Sequence, residues 1–426
     1  MTRLVAAITV LVGTLTVADP MAQISREYVR LVLAMGDHDK DYVDAYYGPE
    51  DVKAEAAKAK LSLEDIGKSI KELSEWLAGV PAAGRDEQSQ LRHQYLQKQL
   101  AAMGARVRML KGERLSFDEE SKALYDAVAP TNSDAHFQEV LDRLDNRFPG
   151  NGPLVTRYDA WRRAFVIPHD KVDPVFKAAI AACRAETLKH VQLPSTESFT
   201  VEYVTNKSWS GYNWYRGNYR SLIQVNTDLP IYIDRAIDLA CHEGYPGHHV
   251  YNALLEQHLV KGRGWLEFTV YPLFTPQSLI AEGTANFGID VALPGGARTA
   301  FERDTLYPIA ELDPARAGDY AAVQARVDRL SYAGNEAARR YLDGRVTRDE
   351  AVEWLERYAL MPRPRAEQRV RFFEQYRSYV INYNLGQDMV RGYVERRGGT
   401  AGDPARRWAE FATLLSSPLP PSALAS

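Results

Sequence analysis

The sequence predicts a mainly α-helical fold. Apolar residues recur at helical spacing through seven long segments of the first 191 residues, as in amphipathic helices that bury one face. These segments are residues 23–35, 61–79, 85–111, 116–128, 134–147, 154–166 and 173–191. Proline- and glycine-rich breaks separate several of them. No repeat of fixed period is apparent, which argues against a solenoid.

Two short segments after residue 195 have β character instead. Ser198–Val204 and Ser221–Asn226 are rich in β-branched and aromatic residues, and the aromatic stretch Ser208–Tyr219 lies between them. They predict a small β-sheet edge shortly before the most histidine-rich part of the chain. An exposed edge could hydrogen-bond an extended substrate, and the equal alternative is a structural hairpin over the core. The aromatic stretch itself is equally compatible with a packed loop.

The C-terminal half returns to helices. Leu293–Ala297 interrupts the chain with one proline and two glycines. Thr347–Glu350 has the pattern of a capping box and opens a helix that the prolines after residue 360 end. Residues 415–426 are rich in serine and proline, and they predict a disordered tail.

Length and composition bound the class of protein. The chain has 426 residues, of which 45% are hydrophobic, so it can bury a large core. We expect a helical region at 23–192 to pack with a catalytic region at 195–414 as one unit. The net charge of −4 gives no electrostatic footprint for nucleic acid, so we expect no nucleic-acid partner.

The most informative segment is His242–His249, with the sequence His-Glu-Gly-Tyr-Pro-Gly-His-His. It holds three of the nine histidines of the chain. Imidazole is a common zinc ligand, and a neighbouring carboxylate can act as a general base. In the motif His-Glu-x-x-His, the two histidines share one helix face. Here the next histidine comes at i+6, which points away from the first in an unbroken helix of about 100° per residue.

The residues between these histidines predict a break in the helix. The proline removes a backbone donor, and the two glycines allow unusual dihedral angles. A two-residue bulge at Tyr245–Gly247 would bring His248 to the place that i+4 normally holds. On this interpretation His242 and His248 are zinc ligands, and Glu243 is the general base. The alternative ligand is His249, which would need three residues looped out.

A third protein ligand should leave one coordination position open for water. Glu282 is the best candidate, because it lies in the mostly apolar helical stretch Ser278–Asp290, where a carboxylate normally needs a partner. Asn286, one turn later, and Asp238, one turn before the first histidine, could each accept an imidazole N–H and orient a ligand. An ordinary exposed position is the commoner explanation for both.

Three segments together resemble the bacterial domain-of-unknown-function 885 family. They are His242–His249, Ala281–Asn286 (Ala-Glu-Gly-Thr-Ala-Asn) and Tyr379–Gln387 (Tyr-Val-Ile-Asn-Tyr-Asn-Leu-Gly-Gln). That family is similar in outline to gluzincin metallopeptidases such as carboxypeptidase Taq. The resemblance covers residues 195–395 and implies a large helical, zincin-like metallopeptidase architecture with His, His and Glu on zinc. One departure is Arg377–Tyr379, where the family more often has Pro-Gly-Gln.

These residues predict a zinc-dependent hydrolase, most simply a metallopeptidase. Zinc on His242, His248 and Glu282 would lower the pKa of a bound water to about 7. Glu243 would take the proton of that water and return it to the leaving nitrogen. Tyr383 is the candidate donor to the oxyanion. The expected partner is a peptide or a small amide.

Some features of the reaction stay open at this level. Arg377 or Arg391 could bind a terminal carboxylate through a bidentate pair, although a solvated helix face explains both more simply. The zinc could serve an amidase or esterase that acts on a non-peptide substrate. It could also hold helices together in a non-catalytic, zinc-stabilised binding protein. The sequence does not indicate an oligomeric state.

Export from the cytoplasm is expected. Residues 1–18 combine one basic residue, an apolar run and a small-residue cleavage site, as in a signal peptide, and no other stretch could span a bilayer. The expected location is therefore periplasmic or secreted, with a cytoplasmic alternative if Met21 is the true start. Cys183 and Cys241 form no metal motif, and both are interpreted first as small buried residues. The alternative, if the protein is exported, is a disulfide between them.

Overall fold

The computed structural model describes residues 19–82 and 84–425, and within them the fold is mainly α-helical with small sheets, as predicted. The signal peptide expected at 1–18 lies outside these residues. No helix in the described part of the chain is both long and apolar enough to cross a membrane.

The first half of the chain forms a scaffold of helices. Its helices are α1 (Pro20–Met35), α2 (Glu50–Ala59), α3 (Leu63–Ala78), α4 (Glu87–Leu110), α5 (Phe117–Tyr125), α6 (Asp134–Asp145), α7 (Leu154–Arg162) and α8 (Val172–Leu188). Seven of these match the segments with helical periodicity. The exception is α2, which has only two buried residues, Val52 and Ala56, and so carries little apolar pattern.

The second half carries the helices around the candidate site. They are α9 (Ile233–Leu239), α10 (His248–Leu255), α11 (Pro276–Ala292), α12 (Gly296–Phe301), α13 (Tyr307–Ile309), α14 (Ala317–Val327), α15 (Ala333–Leu342), α16 (Arg348–Tyr358), α17 (Arg363–Tyr376), α18 (Ile381–Arg396) and α19 (Pro404–Leu415). The capping box predicted at Thr347 is present, since its hydroxyl accepts the Glu350 N–H and the Glu350 carboxylate accepts the Thr347 N–H.

The β-strands of the described residues form two small sheets. One contains β2 (Ser198–Val204), β3 (Gly211–Tyr215) and β4 (Arg220–Asn226) in the order β2-β4-β3, with β2 parallel and β3 antiparallel to β4. The other pairs β1 (Val43–Tyr46) with β5 (Val270–Pro272). Strand β3 lies within the aromatic stretch Ser208–Tyr219, which the sequence did not predict as a strand, and it forms one edge of its sheet.

Helices α11 and α18 cross at backbone contact. A Cβ added at Gly283 would lie 2.5 Å from the carbonyl carbon and oxygen of Gly386, so any larger side chain would force the helices apart. This close crossing brings the segment around Glu282 next to the segment around Tyr379. The two regions are almost one hundred residues apart in sequence.

Buried polar contacts also join the two halves of the chain. The carboxylate of Glu267 is fully buried, and it is paired with the guanidinium of Arg92 on α4. It accepts a further hydrogen bond, 2.5 Å long, from the Ser25 hydroxyl on α1. Removing either partner would leave a buried charge with fewer hydrogen bonds, which is strongly destabilising.

The C-terminal tail corrects one expectation. Residues 415–426 were predicted to be disordered, but Leu419 and Leu424 are buried and Pro421–Ala425 form a short 3₁₀ helix. The Ser422 N–H donates to the Asp126 carboxylate at 3.2 Å. The serine and proline content suggests a solvated segment, but two leucines at suitable spacing are enough to fix the chain against the helices.

Candidate metal centre

The helix that carries His242 is broken in the way the sequence predicts. After α9, Ala240–Gly244 forms a wide π-helical turn, and Tyr245 leaves it in an extended conformation. The Gly247 N–H then donates to the Cys241 carbonyl at 2.9 Å, and α10 begins directly at His248. The chain therefore makes a tight turn against the end of the preceding helix, and this turn places His248 beside His242.

Gly247 makes this turn possible. A Cβ at this position would lie 1.8 Å from the His242 carbonyl oxygen, far inside van der Waals contact. Only glycine can therefore bring the backbone this close to the end of the preceding turn. A glycine directly before His248 is thus a requirement of the local geometry.

His242, His248 and Glu282 meet at one point. Their candidate ligand atoms all lie within 4.8 Å of one another. The Glu282 Oε2 atom is 3.2 Å from His242 Nε2 and 3.6 Å from His248 Nε2. This oxygen is buried and has no hydrogen-bond partner among the described residues. A cation between the two imidazoles would satisfy it, so this donor set fits a zinc ion.

The charges of the cluster also suit a cation. Burial raises the pKa of Glu282, but His248 and His242 lower it more, and the net pKa is well below the ordinary value. Burial lowers the pKa of His248, yet Glu282 and Glu243 raise it to about 9. Glu282 therefore stays ionised at neutral pH. It presents an anionic oxygen to a position that two imidazoles share.

Asn286 orients the first of these imidazoles. Its side-chain oxygen lies 2.9 Å from His242 Nδ1, so this nitrogen carries the proton and donates, which leaves Nε2 free to bind a metal. The Asn286 amide nitrogen in turn donates to the Tyr383 carbonyl at 2.9 Å. Asp238, the other residue considered for this role, instead pairs with Arg298 at 2.8 Å and Arg235 at 3.0 Å.

Tyr379 supports the carboxylate, although the sequence did not single it out. Its hydroxyl donates to Glu282 Oε1 at 2.7 Å, which leaves Oε2 as the atom that faces the histidines. Burial raises the pKa of Tyr379 well above its ordinary value, so the phenol keeps its proton. The only feature of the sequence that pointed to Tyr379 was its position at the start of Tyr379–Gln387, one of the three segments that carry the family resemblance.

We expect Tyr379→Phe to weaken zinc binding by about 10- to 100-fold, because Glu282 loses the donor that fixes its orientation. Zinc affinity is measured by competition with a chromophoric chelator. Tyr307→Phe is the matched control, since the Tyr307 hydroxyl is buried but has no hydrogen-bond partner in the described part of the chain. Equal zinc affinity in the two variants would show that this hydrogen bond does not position the carboxylate.

Glu243 is buried beside the cluster. Its Oε2 atom has no partner among the residues described, and burial raises the pKa of the carboxyl group. Strand β3 is tied to this point, because the Asn213 side chain donates to the Glu243 carbonyl oxygen at 2.7 Å. A carboxylate that is desolvated and unpaired is well suited to accept a proton.

His249 lies away from the cluster. Its Nε2 atom is 3.0 Å from the Glu197 carboxylate, and its Nδ1 atom is 2.9 Å from the Ser221 hydroxyl. Both ring nitrogens are therefore occupied, and the residue is fully buried. The Glu197 carboxylate also contacts Tyr245 and the half-exposed Arg184, which extends this hydrogen-bond network. The alternative in which this histidine is the second ligand is not favoured.

Of the other residues predicted for the site, Tyr383 lines the cleft, whereas Arg377 and Arg391 are paired with carboxylates. Tyr383 lines the cleft, with its ring centre 6.5 Å from that of His242, and burial raises its pKa so that it stays a donor. Arg377 is instead paired with the buried Glu120 at 2.6 Å. Arg391 is paired with Asp290 at 2.9 Å. Neither arginine is free to serve as the carboxylate-binding residue considered for it.

A disulfide bond holds the segment that carries His242. Cys183 on α8 is bonded to Cys241, which directly precedes His242, and their Cα atoms are 5.6 Å apart. The bond ties the wide turn to a long helix of the first half of the chain. Both cysteines are fully buried, and the disulfide gives them a structural role.

The cluster opens into a cleft of about 780 Å³. His242, Glu243, His248 and Glu282 lie in its wall, and Gly211–Asn213 of β3 form another part of the wall. The cleft is large enough for a short peptide or a drug-sized molecule. The candidate metal position therefore lies in the wall of a cleft.

Comparisons with known proteins support the fold. No family model matches the sequence. No curated protein matches it significantly. Among solved structures, a candidate lipoprotein from Colwellia psychrerythraea is similar over 87% of this chain and 70% of its own, with 17% identity and a TM-score of 0.53. This likeness shows a shared fold.

Two further solved structures are more distant. A candidate lipoprotein of unknown function from Shewanella oneidensis has 13% identity and a TM-score of 0.46, over 88% of this chain and 75% of its own. The M32 carboxypeptidase from Deinococcus radiodurans R1 has 13% identity and a TM-score of 0.37, over 92% of this chain and 89% of its own.

Proposed function

We propose that this chain is a zinc-dependent hydrolase that cleaves peptide bonds. The proposal is carried by one observation, the convergence of His242, His248 and Glu282 on one position at the wall of an open cleft. The adjacent Glu243 carboxylate is buried and unpaired within the described residues, so a base stands next to the metal position. Three protein ligands and an accessible cleft are typical of catalytic zinc sites.

Different residues of the chain have different roles in amide hydrolysis. Zinc, when bound, supplies Lewis acidity and lowers the pKa of water to about 7. Glu243 accepts the proton of the attacking water and transfers it to the leaving nitrogen. Tyr383 donates a hydrogen bond to the developing oxyanion. Asn286 and Tyr379 hold the His242 imidazole and the Glu282 carboxylate in place.

Strand β3 provides a surface for an extended substrate. The bonds from the Asn226 N–H to the Ser210 carbonyl and from the Arg216 N–H to the Arg220 carbonyl, both 2.8 Å, show that even-numbered residues of β3 face β4. The backbone groups of Gly211 and Asn213 therefore face the free edge. An extended peptide can add there as a further strand. This favours the substrate-binding interpretation of the edge over a purely structural hairpin.

The disulfide supports a location outside the cytoplasm. Bonds such as Cys183–Cys241 form and persist in oxidising compartments and are rare in reducing ones. We therefore propose a periplasmic or secreted enzyme.

The test is hydrolysis of a mixed library of peptides, non-peptide amides and esters by zinc-loaded protein. We expect cleavage of peptides, loss of that cleavage after chelation, and recovery on adding one equivalent of zinc. Cleavage of only the non-peptide compounds would replace the peptidase by an amidase or esterase. Stoichiometric zinc without turnover on any compound would instead indicate a zinc-stabilised binding protein.

A further inference from the structure

Arg365 and Arg369 lie one turn apart on α17 and both face the cleft. Within the residues that the structure describes, neither guanidinium forms an ion pair with a carboxylate. Each is open to the cleft on one side and is surrounded by protein on the others. Most other interior arginines in the described chain have a carboxylate partner, whereas Arg407, away from the cleft, also lacks one.

The paired arginines show the contrast. Arg92 is paired with Glu267, Arg339 with Glu336, and Arg162 with Asp234. Each of these guanidinium groups has a carboxylate to balance its charge. Buried charges are normally paired in this way, because an uncompensated one is costly.

The contacts of Arg365 and Arg369 are to neutral groups. Arg365 donates to the Ser210 hydroxyl at 3.0 Å and to the Gln368 side-chain oxygen at 3.2 Å. The guanidinium carbon of Arg369 lies 4.9 Å from the ring centre of Phe372 and 5.6 Å from that of Tyr383. The Nε atom of Arg369 is buried without a hydrogen-bond acceptor in the described chain.

The electrostatic environment agrees with these contacts. Burial lowers the pKa of Arg369 more than Tyr383 and Glu282 raise it. Burial together with Arg235 and Arg369 lowers the pKa of Arg365 to about 9. A guanidinium group keeps its proton in proteins, so these shifts report positive charges that the surrounding groups compensate only in part. An anion placed between the two side chains would supply that compensation.

The position of the pair relative to the metal cluster is defined by its neighbours. Ser210, which binds Arg365, directly precedes the edge strand β3. Tyr383, which contacts Arg369, has its ring 6.5 Å from that of His242. The two arginines thus stand at the start of the strand on which a peptide would lie, and beside the candidate oxyanion donor.

We propose that Arg365 and Arg369 form a subsite for a carboxylate of the substrate, next to the bond that is cleaved. The proposal rests on the proposed peptidase function. Guanidinium groups bind carboxylates through strong, charge-assisted and often bidentate hydrogen bonds. The carboxylate can belong to the C-terminus of a peptide or to an aspartate or glutamate side chain, since both offer the same chemistry.

The test is calorimetric binding to zinc-loaded Glu243→Gln protein, in which slow turnover leaves the peptide intact. Three peptides of equal length are compared. The first has a free C-terminus and no acidic side chain, the second has an amidated C-terminus and one glutamate, and the third is amidated and neutral. We expect one or both carboxylate peptides to bind about 10- to 100-fold more tightly than the neutral one. The peptide that gains affinity identifies the source of the carboxylate.

Arginine variants locate the effect in the same background. Arg365→Gln and Arg369→Gln should each remove most of the preference for the carboxylate while binding of the neutral peptide changes little. Arg369→Lys should retain part of the preference, since it keeps the charge. Arg371→Gln is the matched control, because Arg371 is exposed on the same helix. Circular dichroism and zinc content confirm that each variant is folded.

Two outcomes would overturn the subsite. One is equal binding, or absence of binding, for all three peptides. The other is a carboxylate preference that persists in both glutamine variants. The proposed function fails separately: if wild-type protein shows the preference but cleaves none of the peptides, the anion subsite stands and the peptidase does not.

Discussion

Glu243→Gln is expected to lower kcat by about 100- to 10,000-fold while zinc content stays at the wild-type level. The amide has nearly the shape of the carboxylate but cannot accept the proton of water. Because Glu243 does not belong to the cluster of His242, His248 and Glu282, its replacement leaves the three donor atoms unchanged. The measurements are steady-state kinetics on a cleaved peptide and metal analysis of the same preparation.

Glu282→Gln is the control for this variant. It changes a carboxylate to an amide in the same cleft, but at a proposed ligand, so both zinc content and turnover should fall. Wild-type turnover in Glu243→Gln would remove Glu243 as the general base. A loss of zinc in Glu243→Gln would mean that its carboxylate holds the metal.

The second large effect separates the two neighbouring histidines. We expect His248→Ala to lose nearly all bound zinc, because it removes one of three protein ligands. His249→Ala should retain most of its zinc, since the His249 nitrogens are bonded to Glu197 and Ser221. Metal analysis of the two proteins, purified identically, makes the comparison.

We also expect the His248→Ala and His249→Ala variants to differ in stability. His249→Ala removes a fully buried side chain that bonds a carboxylate, so we expect a loss of about 1.5–3 kcal/mol in the free energy of unfolding. Urea denaturation of the zinc-free proteins measures this loss, with His248→Ala expected to show less. A reversed order of zinc loss, with His249→Ala the more depleted, would make His249 the ligand and contradict the arrangement proposed here.

Local sequence patterns were sufficient for most of the helices and for the break in the metal segment. Amphipathic periodicity depends on neighbours three and four residues apart, and such neighbours are visible in the chain. The proline and glycines after Glu243 dictate a turn by their own backbone chemistry, whatever surrounds them. The sequence therefore predicted that His242 and His248 would be neighbours, and it named Glu282 for the reason that an acid on an apolar helix needs a partner.

Contacts between distant segments needed the tertiary structure. The hydrogen bond from Tyr379 to Glu282 exists because two glycines let α11 and α18 cross at backbone contact. The carboxylate-binding role considered for Arg377 failed because Glu120, more than two hundred and fifty residues earlier in the chain, lies against it. No local pattern encodes such a pairing.

By itself the sequence determined the fold class, the kink and the identity of three converging side chains. The tertiary structure decided which charges are balanced. It placed His249 in a buried hydrogen-bond network, and it left Arg365 and Arg369 at the cleft without a carboxylate partner. The physical reason is that backbone conformation depends on adjacent residues, whereas the compensation of a charge depends on whatever the fold brings within a few ångströms.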